Sequence, residues 1–405
     1  MDPHPARTSN ALVASLDRGL RVDIVAPSQP LPTAWLNTIS TDHPLLRPAY
    51  MHAARQSLPE GSATCCALAF DGDHLHAVAF FEAVPLRVGS LGHIETRGAW
   101  QTRAGLRILA ASPCGQPHVL VCGDILRTDA PGAWFAPQQA HPSALFHAMA
   151  EAARAHFDQS IVLVVCSARS LGPDADGMAA LGYHCVDQTE PSMQVAIDPA
   201  WRTFDDYLSA LRPKYRQRAR SARKRGVSLS RSRLTRAQVF AHVEEFNLLL
   251  TPILEQAQVT LSMPTGQTVA SLVDSLGEDC RVQVYHHNGQ LVAFAVSLHT
   301  ALAVEGLLVG FDPALNRSLK LYQNVLYDFI EDSIEAGVSS TSLGRTALEI
   351  KSAVGARPTE LPVYIRHPSP VMHFILGWAA GALPTPTWTP RNPFRAGASR
   401  NQGAQ

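Results

Sequence analysis

The sequence predicts an α/β protein with mixed sheets, built as two tandem units and followed by a proline-rich C-terminal segment. Three observations carry that reading. Hydrophobic residues make up 46% of the 405 residues and charged residues only 17%, which buries a large core and excludes global disorder. One order of elements (hairpin, strand, helix, strand, short helix, strand) can be read twice along the chain. Both hairpins turn on pairs suited to a tight reversal, Asp71-Gly72 in the first copy and Asn288-Gly289 in the second.

The elements follow in order. Residues 1–30 form a lead-in with one short strand, Leu20–Val25, and a helix follows around Pro48–Gln56. Ala63–Phe70 and Leu75–Phe81 are apolar runs on either side of the first turn. After an excursion from Pro85 to Pro117, His118–Leu126 reads as a strand. A helix starts at His141-Pro142-Ser143, with proline or serine in its first turn, and runs to His156. Ile161–Cys166 is an uncharged strand, Asp174–Leu181 a short helix stopped by Gly182, and Met193–Ile197 a strand that closes the first half. The junction at Asp198-Pro199-Ala200 gives a first domain of residues 1–199.

The second domain, residues 200–366, opens with the amphipathic segment Trp201–Leu211, which aligns Phe204, Tyr207, Leu208 and Leu211. A basic segment, helical up to Gly226, and a helix over Val239–Leu254 follow. Arg281–His286 and Leu291–Leu298 make the hairpin, and Leu302–Val309 is the next strand. A long helix, Leu319–Ala336, stops at Gly337. Ser339–Leu343, the helix Thr346–Val354 and the strand Pro362–Ile365 complete the copy. In residues 367–405, prolines 368, 370, 384, 386, 390 and 393 break the chain around the apolar run 371–383. That run is too short to span a bilayer and reads as a docked helix, with peripheral membrane contact as the alternative. Arg395–Gln405 reads as a disordered tail.

No stretch reaches the roughly 18 apolar residues of a membrane span, and residues 1–10 lack signal-peptide order, so a cytoplasmic location is expected. The seven cysteines include no Cys-x-x-Cys pair, and the 17 histidines form no His-Glu-x-x-His pattern. No metal site and no permanently bound cofactor are therefore expected. The net charge of zero hides a strong asymmetry. Eleven basic residues, Arg212, Lys214, Arg216, Arg218, Arg220, Arg223, Lys224, Arg225, Arg231, Arg233 and Arg236, occupy 25 positions that hold no acidic residue. Like charges four apart on a helix repel, so the stripe calls for an anionic partner; Lys214, Arg216 and Arg220 are the candidate anion- or acceptor-binding residues.

Three segments give the pattern a resemblance. The first is the aromatic helix running into the basic one, from Tyr207 to Arg220. The second is the strand Leu302–Val309 followed by Gly310-Phe311-Asp312 and a helix. The third is Gly344-Arg345-Thr346-Ala347-Leu348-Glu349-Ile350-Lys351-Ser352-Ala353-Val354-Gly355. Over residues 40–366 the chain resembles the acyl-CoA N-acyltransferase (GNAT) superfamily in tandem, of the layout found in Fem-type aminoacyltransferases and related bacterial acetyltransferases. It lacks the coiled-coil insertion of the Fem enzymes and the glycine-rich pyrophosphate loop of simple acetyltransferases. The corresponding segment here is Pro313-Ala314-Leu315-Asn316-Arg317-Ser318-Leu319-Lys320.

The resemblance implies an acyltransferase that forms an amide. Acyl-CoA would be the co-substrate and an amine-bearing small molecule or peptide the acceptor. In the superfamily the central strand splays from its neighbour and the acyl carbonyl docks in the gap. Glu305 is the one charge on that strand, and a carboxylate among apolar neighbours suits a general base. Tyr322, and with it Tyr327, is a candidate acid for the leaving group. Asn316, Arg317, Ser318 and Lys320, at a helix start, are candidates for the donor phosphates, Ser318 doubling as a cap. Arg345 and Lys351 either hold a phosphate or acceptor carboxylate or pair with Glu349. The first domain, with Asp124 in place of a glutamate and no Arg or Lys at its helix start, reads as degenerate. Two alternatives stand beside acyl-CoA chemistry: an aminoacyl-tRNA-dependent transferase, for which the basic stripe would hold tRNA, and a non-catalytic ligand-binding module.

Overall fold

The computed structural model describes residues 20–26, 31–39, 46–86, 117–137, 141–157, 161–171, 174–187, 189–255, 262–381 and 387–395. The chain divides into two compact units. One comprises residues 1–189, 258–263 and 361–386, and the other comprises residues 190–257, 264–360 and 387–405.

In the first unit, β1 (Leu20–Val25) is followed by the short helices α1 (Thr33–Thr38) and α2 (Pro48–Ala54). The expected hairpin is present as β2 (Ala63–Asp71) and β3 (His74–Pro85), paired antiparallel. β4 (His118–Cys122) pairs antiparallel with β3, and β5 (Ala133–Phe135) pairs with an earlier part of the same strand. α3 (Pro142–His156), β6 (Ile161–Ser167), α4 (Ala175–Ala180) and β7 (His184–Val186) complete the first copy. Alternation along β2 and β3 sends Cys65, Ala67, Ala69, Ala79 and Phe81 into one buried cluster with Leu145, Phe146 and Met149 of α3. Cys66, Leu68, Val78 and Phe80 go to the opposite face, under Trp35 and Met51. The strand expected over His118–Leu126 ends at Cys122, so Asp124 lies in the loop that follows.

The chain then enters the second sheet earlier than the sequence suggests. β8 (Ser192–Ala196), expected to close the first half, pairs with strands of the second unit. α5 (Phe204–Ala210) starts in a capping box between Thr203 and Asp206, and α6 (Pro213–Arg225) carries the basic segment to its stop at Gly226. β9 (Ser230–Arg233), α7 (Arg236–Ala241), α8 (Val243–Glu255) and α9 (Gly266–Leu276) precede the hairpin of β10 (Cys280–His287) and β11 (Gln290–His299). Next come β12 (Ala303–Phe311), α10 (Pro313–Leu319), α11 (Leu321–Ala336), β13 (Ser340–Ser342), α12 (Leu348–Ala353) and β14 (Arg357–Thr359). The sheet order is β14-β8-β13-β12-β11-β10-β9, with β12 and β13 parallel.

β15 (Val363–Arg366), read from the sequence as the last strand of the second domain, returns to the first sheet between β6 and β7. α13 (Pro370–Ala380) docks beside it through Leu376 and Ala380, on Val186 and Ile365. Each sheet thus takes a strand from beyond the boundary placed at residue 199. Composition could not reveal the exchange, because β8 and β15 are ordinary strand sequences and only pairing assigns them.

The chain just before the expected tail contributes to the second core. Phe394 is 2% exposed and lies in the second core against Trp201 and Tyr207, with ring centroids 5.7 and 6.2 Å away. Arg212 N–H donates to Pro393 O at 2.8 Å, and Arg395 N–H to Ala210 O at 3.1 Å. Residues 396–405 of the expected tail lie outside the described residues. Among the described residues no helix is long and apolar enough to cross a membrane.

Candidate functional site

The second sheet opens into a fork. β12 and β13 pair only at Ala303↔Ser340, Val304↔Thr341 and Glu305↔Ser342. Beyond Ser342 the chain stays with β8 instead: Leu343 N–H donates to Met193 O at 2.8 Å, and Met193 N–H to Gly344 O at 3.0 Å. β12 meanwhile runs on to Phe311, held on its other side by β11. A register shift between Val296 and Ser297 marks a bulge in this ladder, with Leu307 the extra residue of β12. Glu305 is half-buried and sits at the apex of the fork.

At the far end of β12, Asp312 caps Ala314 N–H and Pro313 fills the first helical position. What the sequence suggested as a loop is therefore the helix α10. Lys320 then adopts left-handed backbone, with φ of 54°, and α11 begins. Asn316 Oδ1 accepts from Tyr322 N–H at 3.1 Å, satisfying one amide of the new helix end. Ser318 Oγ donates back to Leu315 O at 3.0 Å within α10, so the cap expected of it at the start of the long helix is not made; Lys320 holds that position. Arg317 is exposed and Lys320 half-buried at this corner, and Arg225 of α6 reaches it by donating to Arg317 O at 3.5 Å.

Tyr322 packs on Phe311, ring centroids 5.8 Å apart, and burial pushes its hydroxyl up from the ordinary tyrosine range. Phe311 lies six positions along the strand from Glu305, about 20 Å of extended chain. The two catalytic candidates thus occupy opposite ends of β12. Tyr327 is a core residue beneath Arg223, its hydroxyl pushed up to about 12 by burial.

The motif Gly344–Gly355 proves to be a clamp. Gly344, Thr346 and Ala347 all have positive φ, 69°, 65° and 48°. Lys351 is 3% exposed and its Nζ donates to Arg345 O, tying α12 to this strained turn. Arg345 Nε donates to Glu190 O at 2.9 Å. Glu349 pairs with Arg391 at 3.0 Å, not with Arg345 or Lys351. Gly355 has φ of 107°, and a Cβ there would lie 2.5 Å from the Phe394 ring. The regular spacing that drew attention in the sequence therefore serves the turn and the returning tail.

The basic segment separates into two populations. Arg216 donates to Leu208 O, Leu211 O and Ser209 O, closing the C-terminal end of α5. Arg223 pairs with Asp328 and, at 2.7 Å, with Glu331, and lies 4.6 Å from the Phe204 ring centroid. Arg231 bonds Asp328 and Asn324, Arg233 bonds Asp332, and Arg236 bonds Asp274. Lys214, Arg218, Arg220, Lys224 and Arg225 are exposed. At 100° per residue these five share one side of α6, and no acidic residue stands on that helix. Arg216 thus leaves the candidate anion-binding set, whereas Lys214 and Arg220 stay outward. Among the described residues no group of three or more His, Cys, Asp or Glu is arranged to hold a metal ion.

Residues 212–352 match the family model of the acetyltransferase (GNAT) domain. No curated protein matches the chain. Among solved structures, FemX is 11% identical, with 90% of this chain and 96% of that chain covered at a TM-score of 0.48. A tandem GNAT protein from the clavulanic acid biosynthesis pathway is 12% identical, with 87% and 99% covered at 0.44. The C-terminal domain of a putative lysylphosphatidylglycerol synthetase from Agrobacterium fabrum is 14% identical, with 74% and 98% covered at 0.41. The stretch matched by that model, residues 212–352, includes both strands of the fork, β12 and β13.

Proposed function

We propose that the second unit transfers an acyl group from acyl-CoA to an amine. The observation that carries this is the fork: a strand edge open from Gly306 to Phe311 with a carboxylate at its apex. The open edge offers backbone N–H and C=O groups to an extended donor arm, as an added strand would use them. The corner of Arg225, Arg317 and Lys320 would hold the donor phosphates at one end of β12. The thioester would then lie at the other end, beside Glu305. The amine attacks the thioester carbonyl, a C–N bond forms and the C–S bond breaks. Glu305 takes the amine proton, and the thiolate leaves to be protonated by water. Tyr322, at the phosphate end, lines the donor arm; an acid at the reacting carbon is not its role in this arrangement. Arg345 and Lys351 shape the fork's far wall.

The test is Glu305→Gln in the full chain, with thiol release followed from acetyl-CoA and longer acyl-CoAs. Turnover falls roughly 10²–10⁴-fold while donor affinity, measured by calorimetry, is kept. An unchanged pH–rate profile would remove Glu305 as the base. One observation favours an aminoacyl-tRNA donor as a second reading: the five outward cations of α6. Charged tRNA belongs in the same titration. Binding of neither donor would leave a ligand-binding module.

A further inference from the structure

Across the second sheet the register brings four polar side chains into one row. Glu305 of β12 is the cross-strand partner of Ser342 in β13. Ser342 is the partner of Gln194 in β8, and Gln194 of Arg357 in β14. Residues paired in register project to the same face. That face is opposite to the one covered by α11, where Thr341 bonds Ser333 and the Phe329 ring lies against Gly306. Three strand spacings separate Glu305 from Arg357, about 14 Å. Gln194 is half-buried and Arg357 exposed, so the row runs from the fork outward to an edge strand.

Ser342 supplies a second, independent observation. It is 4% exposed, and its Oγ has no hydrogen-bond partner among the described residues. A buried hydroxyl left without a hydrogen-bond partner destabilises the fold. Nearby hydroxyls avoid this: Thr341 Oγ1 donates to Ser333 Oγ at 2.7 Å, and Ser333 Oγ to Phe329 O at 2.8 Å. The unused hydroxyl stands where β12 leaves β13, next to the carboxylate that would receive the amine proton.

We propose that Glu305, Ser342, Gln194 and Arg357 form the acceptor track, and that the acceptor is an elongated amine bearing an anionic group. The inference rests on the acyl-transfer reading for the direction of the track. The amine lies at Glu305. Ser342 Oγ donates to, or accepts from, the first polar group beyond it. Gln194 offers an amide to the middle of the chain, and Arg357 takes the terminal carboxylate or phosphate with its planar fork. An acceptor without the anion would fill the apex and leave the outer half of the row unused.

The experiment pairs binding with turnover. ω-Amino acids of increasing chain length, ω-aminoalkyl phosphates and plain alkylamines are titrated calorimetrically into the full chain, then supplied as acceptors with acetyl-CoA. The anionic amines are expected to bind at least about tenfold tighter than alkylamines at an optimal length. Arg357→Gln should erase that preference and leave alkylamine affinity unchanged. Ser342→Ala should weaken both classes, with Ser342→Thr restoring binding. Comparing carboxylates with phosphates identifies the anion. Binding of the anionic amines without acylation by any donor would keep the track and sink the acyl-transfer reading. Equal binding of both classes, or a preference that survives Arg357→Gln, would overturn the track.

Discussion

The two units treat the same strand in opposite ways. In the second, β12 is continuous, and its carboxylate stands at an open fork. In the first, the corresponding path on β3 is broken into β4 and β5 by residues 123–132. The break begins and ends at adjacent points: Gly123 N–H donates to Phe80 O, and Phe80 N–H to Gly132 O. The intervening chain folds its charges inward. Asp124 accepts from Tyr50 Oη at 2.6 Å and Leu126 N–H at 2.7 Å, Glu82 from Ile125 N–H at 2.9 Å, and Arg127 pairs with Asp129 at 2.9 Å. Glu82, Asp124, Arg127 and Asp129 are all buried. The first unit spends its carboxylates on holding the break closed. The second sets one at the apex of its fork.

The largest expected effect tests that closure. A Cβ on Gly132 would lie 2.2 Å from Gly123 Cα and 2.7 Å from the Cys122 carbonyl carbon, and neither backbone atom can swing away. Gly132→Ala should destabilise the first unit by about 3–5 kcal/mol, read as a lowered urea midpoint. Donor binding by the second unit should survive above that midpoint, once the first unit has unfolded. Wild-type stability in the variant would mean that the break is not closed at this point. Loss of donor binding together with the first unit would show that the contrast does not separate structure from chemistry.

Much of this was legible from local signals. Asp71-Gly72 and Asn288-Gly289 each announced a hairpin, and Gly226 and Gly337 announced helix ends, because turn and cap chemistry acts over a few residues. Glu305 stood out because it is the one charge on an apolar strand. Three features were not legible. The exchange of β8 and β15 depends on pairing between residues more than 150 positions apart. α9, between Gly266 and Leu276, escaped notice although Thr265 and Thr268 form its capping box. The polar row joins four strands, and only register reveals that Ser342, Gln194 and Arg357 share a face with Glu305. The motif Gly344–Gly355 was found by its spacing, which cannot tell a phosphate clamp from a turn that bonds to itself.

A second test uses pH. Burial, and next the charge of Asp124, holds the Glu82 carboxyl well above the usual range. Burial also raises Asp124, despite its bonds to Tyr50 and Leu126. A carboxyl raised in the folded state carries a proton that the unfolded chain has already lost above its own pKa. Stability from these groups is therefore full below about pH 4, where the unfolded chain is also protonated, and declines as pH rises above the unfolded carboxylate range. Glu82→Gln mimics the protonated form. It should flatten the decline and stabilise the protein at pH 8 by about 1–3 kcal/mol, measured by urea unfolding across pH. A variant less stable than wild type at pH 8 would mean that the carboxylate is used charged, and the contrast with Glu305 would lose its basis.

The smallest effect, that of the outward cations, concerns α6, where inward and outward charges divide within one helix. Arg223 faces inward, bonded to Asp328 and Glu331 and lying over Phe204, so its removal leaves two partly buried carboxylates facing each other. Burial already pushes Glu331 up despite the guanidinium beside it. Arg223→Ala should cost about 2–4 kcal/mol of stability. Arg220 and Lys224 face outward, and removing them relieves repulsion along a helix without an acidic residue. Arg220→Ala with Lys224→Ala should leave stability within about 0.5 kcal/mol, or raise it slightly, while weakening any polyanionic partner in a salt-dependent way. Charged tRNA and vesicles of acidic lipid, titrated at two salt concentrations against wild type and the double variant, separate the partners this face could take. A double variant as unstable as Arg223→Ala would show that the outward cations are spent on the fold as well, and the division within the helix would disappear.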